Sequence, residues 1–181
     1  MPLITRENSY GIDKSIDVFQ KYLYEKLSNQ FGTWNCYPRV YKNKIHRDNK
    51  TVVTAQHEEN NNYTNVLFND KVNMQSFFIR DSENTPLKQL LSATTSVSLI
   101  MQCNLDSIYS NEKNRTDERL KEDIVSISRS FADWQLVNIV DGIENVYREF
   151  YNDDLQWSNI EPRHVVRFEY DLLYSYKNCI L

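Results

Sequence analysis

Glycine is scarce in this chain, with only 3 among 181 residues, standing alone at positions 11, 32 and 142. That excludes a glycine-rich phosphate loop, in which closely spaced glycines let backbone N–H groups approach a pyrophosphate. Cysteine is just as sparse: Cys36, Cys103 and Cys179 are far apart and odd in number. This is neither a disulfide framework nor the paired spacing of a zinc site, and reduced thiols in a cytoplasmic setting are the natural reading. No G-x-S-x-G elbow marks a serine nucleophile. Positive charge is not in excess, since Lys+Arg 21 against Asp+Glu 25 gives −4. No overall basic field exists to hold nucleic acid by phosphate neutralisation. Long apolar runs are missing as well. The opening MPLITRENSYG has no hydrophobic signal region, and no window approaches the ~18 apolar residues of a membrane span. A protein made and kept in soluble form, without a membrane role, is expected.

What is present describes a packed fold. A hydrophobic share of 40% and a charged share of 25% are ordinary for a globular chain, and 13% aromatics argue against disorder. The length suits one good core. No composition shift marks a linker and no repeat is visible, so residues 1–181 read as a single domain. Asn, Lys, Tyr and Ile, whose codons are AT-rich, are heavily used, which is a compositional feature and not a structural one.

The strongest local pattern is His164 to Tyr176, HVVRFEYDLLYSY. Val166, Phe168, Tyr170, Leu172, Tyr174 and Tyr176 alternate with Arg167, Glu169, Asp171 and Ser175, Leu173 being the exception. A period of two with large apolar residues on one side predicts a long strand with one face in a core and the other towards water. Thr95 to Ser107 alternates in the same way, with Val97, Leu99, Met101, Cys103 and Leu105 on one side, and is expected to pair with it. Ile12, Ile16, Phe19, Leu23 and Leu27 form one helical stripe over 12–31, with Asp13 as N-cap, Asp17 and Lys21 as an outer i,i+4 pair, and Gly32 past the end. Leu120, Ile124, Ile127 and Phe131 predict a second helix. Shorter strands are expected at 51–57, 65–69, 74–80, 134–140 and 143–151, with 65–69 and 74–80 joined as a hairpin through Asn69-Asp70-Lys71, while 37–41, which contains Pro38, reads as an edge strand or an extended loop. Asp81 to Leu91 reads as a loop or short helical turn. The expected fold is α+β: a mainly antiparallel sheet, two amphipathic helices packed on one face, and long polar hairpins projecting.

Residues suited to chemistry are few. His46, His57 and His164 are isolated, and His57-Glu58-Glu59 lacks the second histidine of a zinc motif, so no metal and no cofactor is expected. Asp81 with Glu83, and Asp153 with Asp154, read as solvated loop acids. Trp34, Trp134 and Trp157 read as buried or interface anchors.

An N-terminal amphipathic helix, a strand-rich middle with long hairpins, the alternating VSLIMQCNLDSI strand, the DERLKEDIVSISRSF helix, and a closing strand entered through NIEPRHVVRFEYDLLY follow in that order. In order and pattern the chain resembles the tail-terminator and tail-completion proteins of tailed bacteriophages. The resemblance implies a non-enzymatic virion protein, assembled in the host cytoplasm into a homo-oligomeric ring of about six to twelve copies at the neck or tail terminus. Portal-side or tail proteins would be its neighbours, and genomic DNA would pass through without specific binding. The Asn-rich hairpins depart from the family pattern. Too polar for a core and longer than a connection requires, they are the expected subunit contacts, through Lys42, Lys44, Arg47, Lys50, Glu58, Glu59 and Tyr63. Asp117, Glu118, Glu122 and Asp123 on the second helix are the expected channel lining. Two other classes compete: an adaptor or immunity-type binding module, and a small metal-dependent nuclease using scattered acids such as Glu83 and Asp106 with a lysine.

Overall fold

The computed structural model describes residues 3–5, 8–32, 34–45, 50–57, 62–66, 72–81, 85–86, 92–112, 116–150 and 162–175. The first half runs α1 (Ile12–Phe31), β1 (Asn35–Arg39), β2 (Tyr41–Ile45), β3 (Lys50–His57), β4 (Asn62–Asn65), β5 (Met74–Arg80) and β6 (Thr85–Pro86). The second half runs β7 (Ser92–Asn104), α2 (Leu105–Ile108), α3 (Thr116–Ser128), β8 (Trp134–Asp141), α4 (Ile143–Val146) and β9 (Arg163–Ser175). The main sheet has the order β1-β5-β7-β9-β8, with β6 added along β7. Among the described strands of this sheet the β1–β5 pair is parallel and the other pairs are antiparallel. The fold is therefore α+β on a mainly antiparallel sheet.

At its centre β7 and β9 pair over thirteen residues each, from Ser92 opposite Ser175 to Asn104 opposite Arg163. The register places Val97 with Tyr170, Leu99 with Phe168 and Met101 with Val166 on one face. This face carries the larger core, closed by α1 through Ile12, Ile16, Phe19, Leu23 and Leu27 and by α3 through Leu120 and Ile124. Phe19 is its hub: ring centroids of Trp134, Phe131, Tyr170 and Phe78 lie 4.6, 5.0, 5.8 and 6.0 Å away, at angles that favour edge-to-face contact for all but the tilted Trp134.

The opposite face departs from expectation, because it does not look onto water. Tyr37, Phe77, Ile79, Ile100 and Val165 form a second core with Val146, Tyr147 and Phe150. The strand expected at 143–151 is instead α4 and the turn after it. The reason is legible afterwards: Ile143, Val146, Tyr147 and Phe150 sit at i, i+3, i+4 and i+7, the spacing of one helical face. Arg167, expected to be solvated, is 0% exposed as a result.

Smaller corrections follow from side-chain competition. Gly11, at φ 54, precedes the first residue of α1 and no side chain caps it. Asp13 instead holds Arg39 of β1 through two bonds, Nε–Oδ1 at 2.7 Å and Nη2–Oδ2 at 2.9 Å. Asp17 is buried and accepts from the Ser9 hydroxyl, so it is not an outer partner of Lys21. Buried Gln20 donates to the carbonyls of Ile4 (2.9 Å) and Cys36 (2.8 Å), tying α1 to β1. Gly32, at φ 70, does end the helix, its N–H reaching Ser28 O at 3.0 Å. β7 stops at Asn104, whose side chain accepts from Ser107 N and caps α2, so Leu105 to Ser107 are helical. β5 pairs with β1 and β7 rather than forming a hairpin with the segment before it.

The polar middle of the chain builds a separate three-stranded antiparallel sheet, β2-β3-β4. It is made of two successive hairpins, Ile45 opposite Lys50 and His57 opposite Asn62. Lys42 and Lys44 thus lie within a strand and not in a hairpin tip.

Phe168 is fully buried in the larger core between the two helices. Phe168→Ala should lower unfolding free energy by about 3–5 kcal/mol, transfer and cavity terms adding. Urea denaturation checks this, and a midpoint unchanged from wild type would mean the face is misassigned.

Candidate functional site

The expected contact residues divide by element. Lys42 and Lys44 belong to β2, Lys50 opens β3 and Tyr63 belongs to β4. Arg47, Glu58 and Glu59 lie outside the described residues, as do Glu83, Asp153, Asp154, Trp157, Tyr176 and Cys179. Asp117 and Glu118 occupy the first turn of α3, where carboxylates meet the positive end of the helix dipole. Glu118 pairs with Lys121 at 2.8 Å. Asp123 is turned inward: it accepts from the Tyr109 hydroxyl at 2.8 Å and faces Arg119 at 3.4 Å. Burial, and after it Asp123, pushes the Tyr109 phenol well above its ordinary value. Glu122 and Glu118 are exposed, while Asp117 and Asp123 are half-buried. Asp106 is exposed on α2.

The most concentrated charge surrounds Arg167, which the sequence reading placed in water. Its Nε donates to Ser98 Oγ at 2.9 Å, Nη1 to the Val146 carbonyl at 3.3 Å, and Nη2 to Asp81 Oδ1 at 2.6 Å and Glu149 Oε1 at 3.1 Å. Glu169 lies 3.3 Å from Nε and is also held by Arg148 at 2.6 Å. Ser98 in turn donates to Asp81. Asp81 is therefore not a solvated loop acid. Every nitrogen of the Arg167 guanidinium is engaged inside the protein, so this group joins β7, β9, α4 and residue 81.

A second polar group crosses from α3 to β8. Lys121 Nζ lies 2.6 Å from Asp141 Oδ2, and His164 Nε2 lies 3.4 Å from Asp141 Oδ1, a separation that leaves a weak electrostatic contact and not a well-made hydrogen bond. Burial lowers the His164 pKa, opposed by Asp141 and Asp117 and assisted by Lys121. Cys36 and Cys103 are buried free thiols; burial pushes Cys36 up to about 12, so neither has the character of a nucleophile.

Two depressions lie among the described residues. An apolar groove of about 580 Å³ runs between α1 and the β8–β9 end, lined by Val18, Phe131, Trp134, Leu173 and Tyr174 with Lys14 and Asp133 at its rim. A smaller one of about 230 Å³ is bounded by Asp81, Val137, Arg148, Glu169 and Asp171. Among the described residues no group of three His, Cys, Asp or Glu is placed to hold a metal ion, and no helix is long and apolar enough to cross a membrane. No family model, curated protein or solved structure matches the chain.

Removing the arginine while keeping its acceptors strands buried carboxylates. Arg167→Ala should cost about 3–5 kcal/mol, the range for breaking a buried pair by deleting one partner, as measured by urea unfolding. A loss below about 1 kcal/mol, the scale of an exposed pair, would show that the network is solvated.

His164 gives stability a pH dependence of definite sign. Its folded pKa lies below the ordinary 6.5, so on acidification the unfolded chain takes up the proton first. Stability from this group is complete above 6.5 and falls as pH drops from there towards the depressed folded value. Unfolding followed between pH 7.5 and 5 should show this slope in the wild type and a smaller one in His164→Gln.

Proposed function

We propose that the chain is a structural subunit of a homo-oligomeric ring of about six to twelve copies, at the neck or tail terminus of a tailed phage particle. In this reading it sits between portal-side and tail proteins and surrounds the DNA channel without gripping the genome. The observation that carries the proposal is the β2-β3-β4 sheet. Positions 40–73 join β1 to β5, strands that already lie side by side, yet they include three strands that, among the described residues, pair with one another and with no strand of the main sheet. That exceeds what a connection needs. An arm that reaches a neighbour accounts for it. Net charge supports the passive channel: −4 per chain is multiplied by copy number, and strong phosphate contacts would hold a genome that has to slide.

One observation favours the adaptor reading, namely the apolar groove, because Val18 at 53% and Leu173 at 41% exposure present unpartnered apolar surface there. Mass separates the two. Light scattering on the purified full chain should return several times 21.6 kDa, whereas a monomer at high protein concentration favours the adaptor. Shortening 42–50 and 56–65 to tight turns should leave the main sheet folded by circular dichroism and reduce the particle to single chains. Full-sized particles from the shortened chain would remove the arm from the assembly.

A further inference from the structure

We propose that the outer edge of β8 is the surface on which a second copy of this chain lays its β2 strand, so that the main sheet of one subunit is continued by the small sheet of the next. The proposal rests on the ring reading and supplies its contact.

The main sheet has two ends, and they differ. At the β1 end, Leu3 bridges to Cys36 and Ile4 N donates to Cys36 O at 3.0 Å, so a short segment already lies along that strand. At the β8 end no described strand follows. The direction of the backbone groups there can be read from one bond: Leu173 N donates to Asp133 O at 2.9 Å, which makes 133 and 173 a hydrogen-bonded pair. Alternation along an antiparallel ladder then turns the N–H and C=O of Trp134 and Leu136 away from β9; the Trp134 N–H is met by Phe131 O at 3.1 Å, so a second strand would meet the Leu136 N–H and the outward carbonyls. A register shift between Leu136 and Asn138 resets the alternation, and Ile139 becomes the next outward residue. Consistent with that, the Ile139 N–H is satisfied not by β9 but by the neighbouring Asn138 Oδ1, at 3.0 Å.

Edges left open in soluble proteins are normally guarded by lysine, proline or very short length. β8 is eight residues long, WQLVNIVD, with no Lys, Arg or Pro, and Val137 is 59% exposed at its middle. The register shift at Leu136/Asn138 interrupts this edge, but no lysine or proline guards it, which leaves its first half, Trp134 to Val137, as the place for a strand to pair.

Charge selects which strand. Positions 130–147 contain Asp133, Asp141 and Glu144 and no Lys or Arg, and Val137 borders the depression in which Asp81, Glu169 and Asp171 stand against the single arginine Arg148. A second β8 laid against the first would set acid against acid. Positions 42–50 carry Lys42, Lys44, Arg47 and Lys50 against the single acid Asp48, and β2 is an outer strand of its sheet. Pairing β2 with β8 joins two different surfaces of the same chain. Such a head-to-tail contact propagates, and closes into a ring when its rotation allows.

The test uses the full chain with Cys179→Ser, since Cys36 and Cys103 are buried. Val137→Cys is combined with Lys42→Cys or Lys44→Cys, oxidised, and run on a non-reducing gel beside light scattering of the uncrosslinked protein. The expected result is a ladder of covalent multimers in the double variants, absent from each single variant. In a separate chain, Val137→Lys should keep its circular dichroism and fall from the multimer to the 21.6 kDa single chain. A multimer that shows no 137–42 or 137–44 crosslink, or that survives Val137→Lys at full size, overturns the β8–β2 contact while the ring reading stands. Crosslinking of 137 to 137 alone overturns the contact in favour of a two-fold dimer. A wild-type chain that is monomeric by light scattering overturns the contact and the ring reading together.

Discussion

The ladder between β7 and β9 is the constraint on which the other elements depend. It runs without a register break from Ser92–Ser175 to Asn104–Arg163, and each strand has a further neighbour, β5 on one side and β8 on the other. The face that carries Val97, Leu99, Met101, Val166, Phe168 and Tyr170 has to be covered, since bare it would leave a broad apolar surface in water, and here the other face is covered as well. On one face α1 and α3 supply the cover, with aliphatic stripes and the aromatic group around Phe19. On the other, a four-residue helix and the turn after it do so, and that cover is too small to be built from apolar residues alone.

The buried arginine follows from this asymmetry. Position 167 lies in the middle of the less well covered face, between Val165 and Glu169, and the space above it is filled by a guanidinium and not by a second large helix. Burying a charge is costly unless it is paired and its donors are met. Here Asp81, Glu149, Glu169, Ser98 and the Val146 carbonyl meet it from four different parts of the chain. Such a group adds little to net stability compared with a well-packed apolar one, but it ties α4 and residue 81 to one register of the sheet. A one-residue slip of β9 would carry Arg167 to the opposite, fully apolar core.

Sequence periodicity made one half of this legible. The even positions of β9 and the odd positions of β7 announce a buried face because their alternation is local. So does the stripe of α1, where five apolar residues repeat within one element. The other face could not be read in the same way, since Arg167, Glu169, Ser98 and Gln102 have the composition of a solvated surface, and what buries them lies tens of residues away. The α4 region was readable but ambiguous: Ile143, Val146, Tyr147 and Phe150 carry helical spacing in a stretch whose residue types favour strands. The parallel pairing of β1 with β5 has no local signature at all, because its two strands are separated by the whole small sheet. Of the residues singled out for contact, the lysines of β2 and β3 now have a place in a strand, whereas the acids of α3 are partly committed to Lys121, Arg119 and Tyr109.

The groups of this interior that could do chemistry are enclosed, which pushes function outward. The Arg167 group has no free nitrogen, the two described thiols are buried and weakly acidic, and His164 is enclosed beside Asp141 and Lys121. Among the described residues, the strands that have a neighbour on one side only include β8 in the main sheet and β2 and β4 in the small one. Backbone edges recognise other strands, and they do so with little demand on side-chain identity. That suits a protein whose arms are written in Asn, Lys and Thr rather than in large apolar residues. Affinity would come from the ladder itself, and the choice of partner from a basic strand meeting an acidic edge, since charge contributes more to specificity and encounter than to strength. Because each subunit carries one edge of each kind, the contact needs no second protein to be completed. Its strength would also fall with added salt, as a contact between partly exposed charges must.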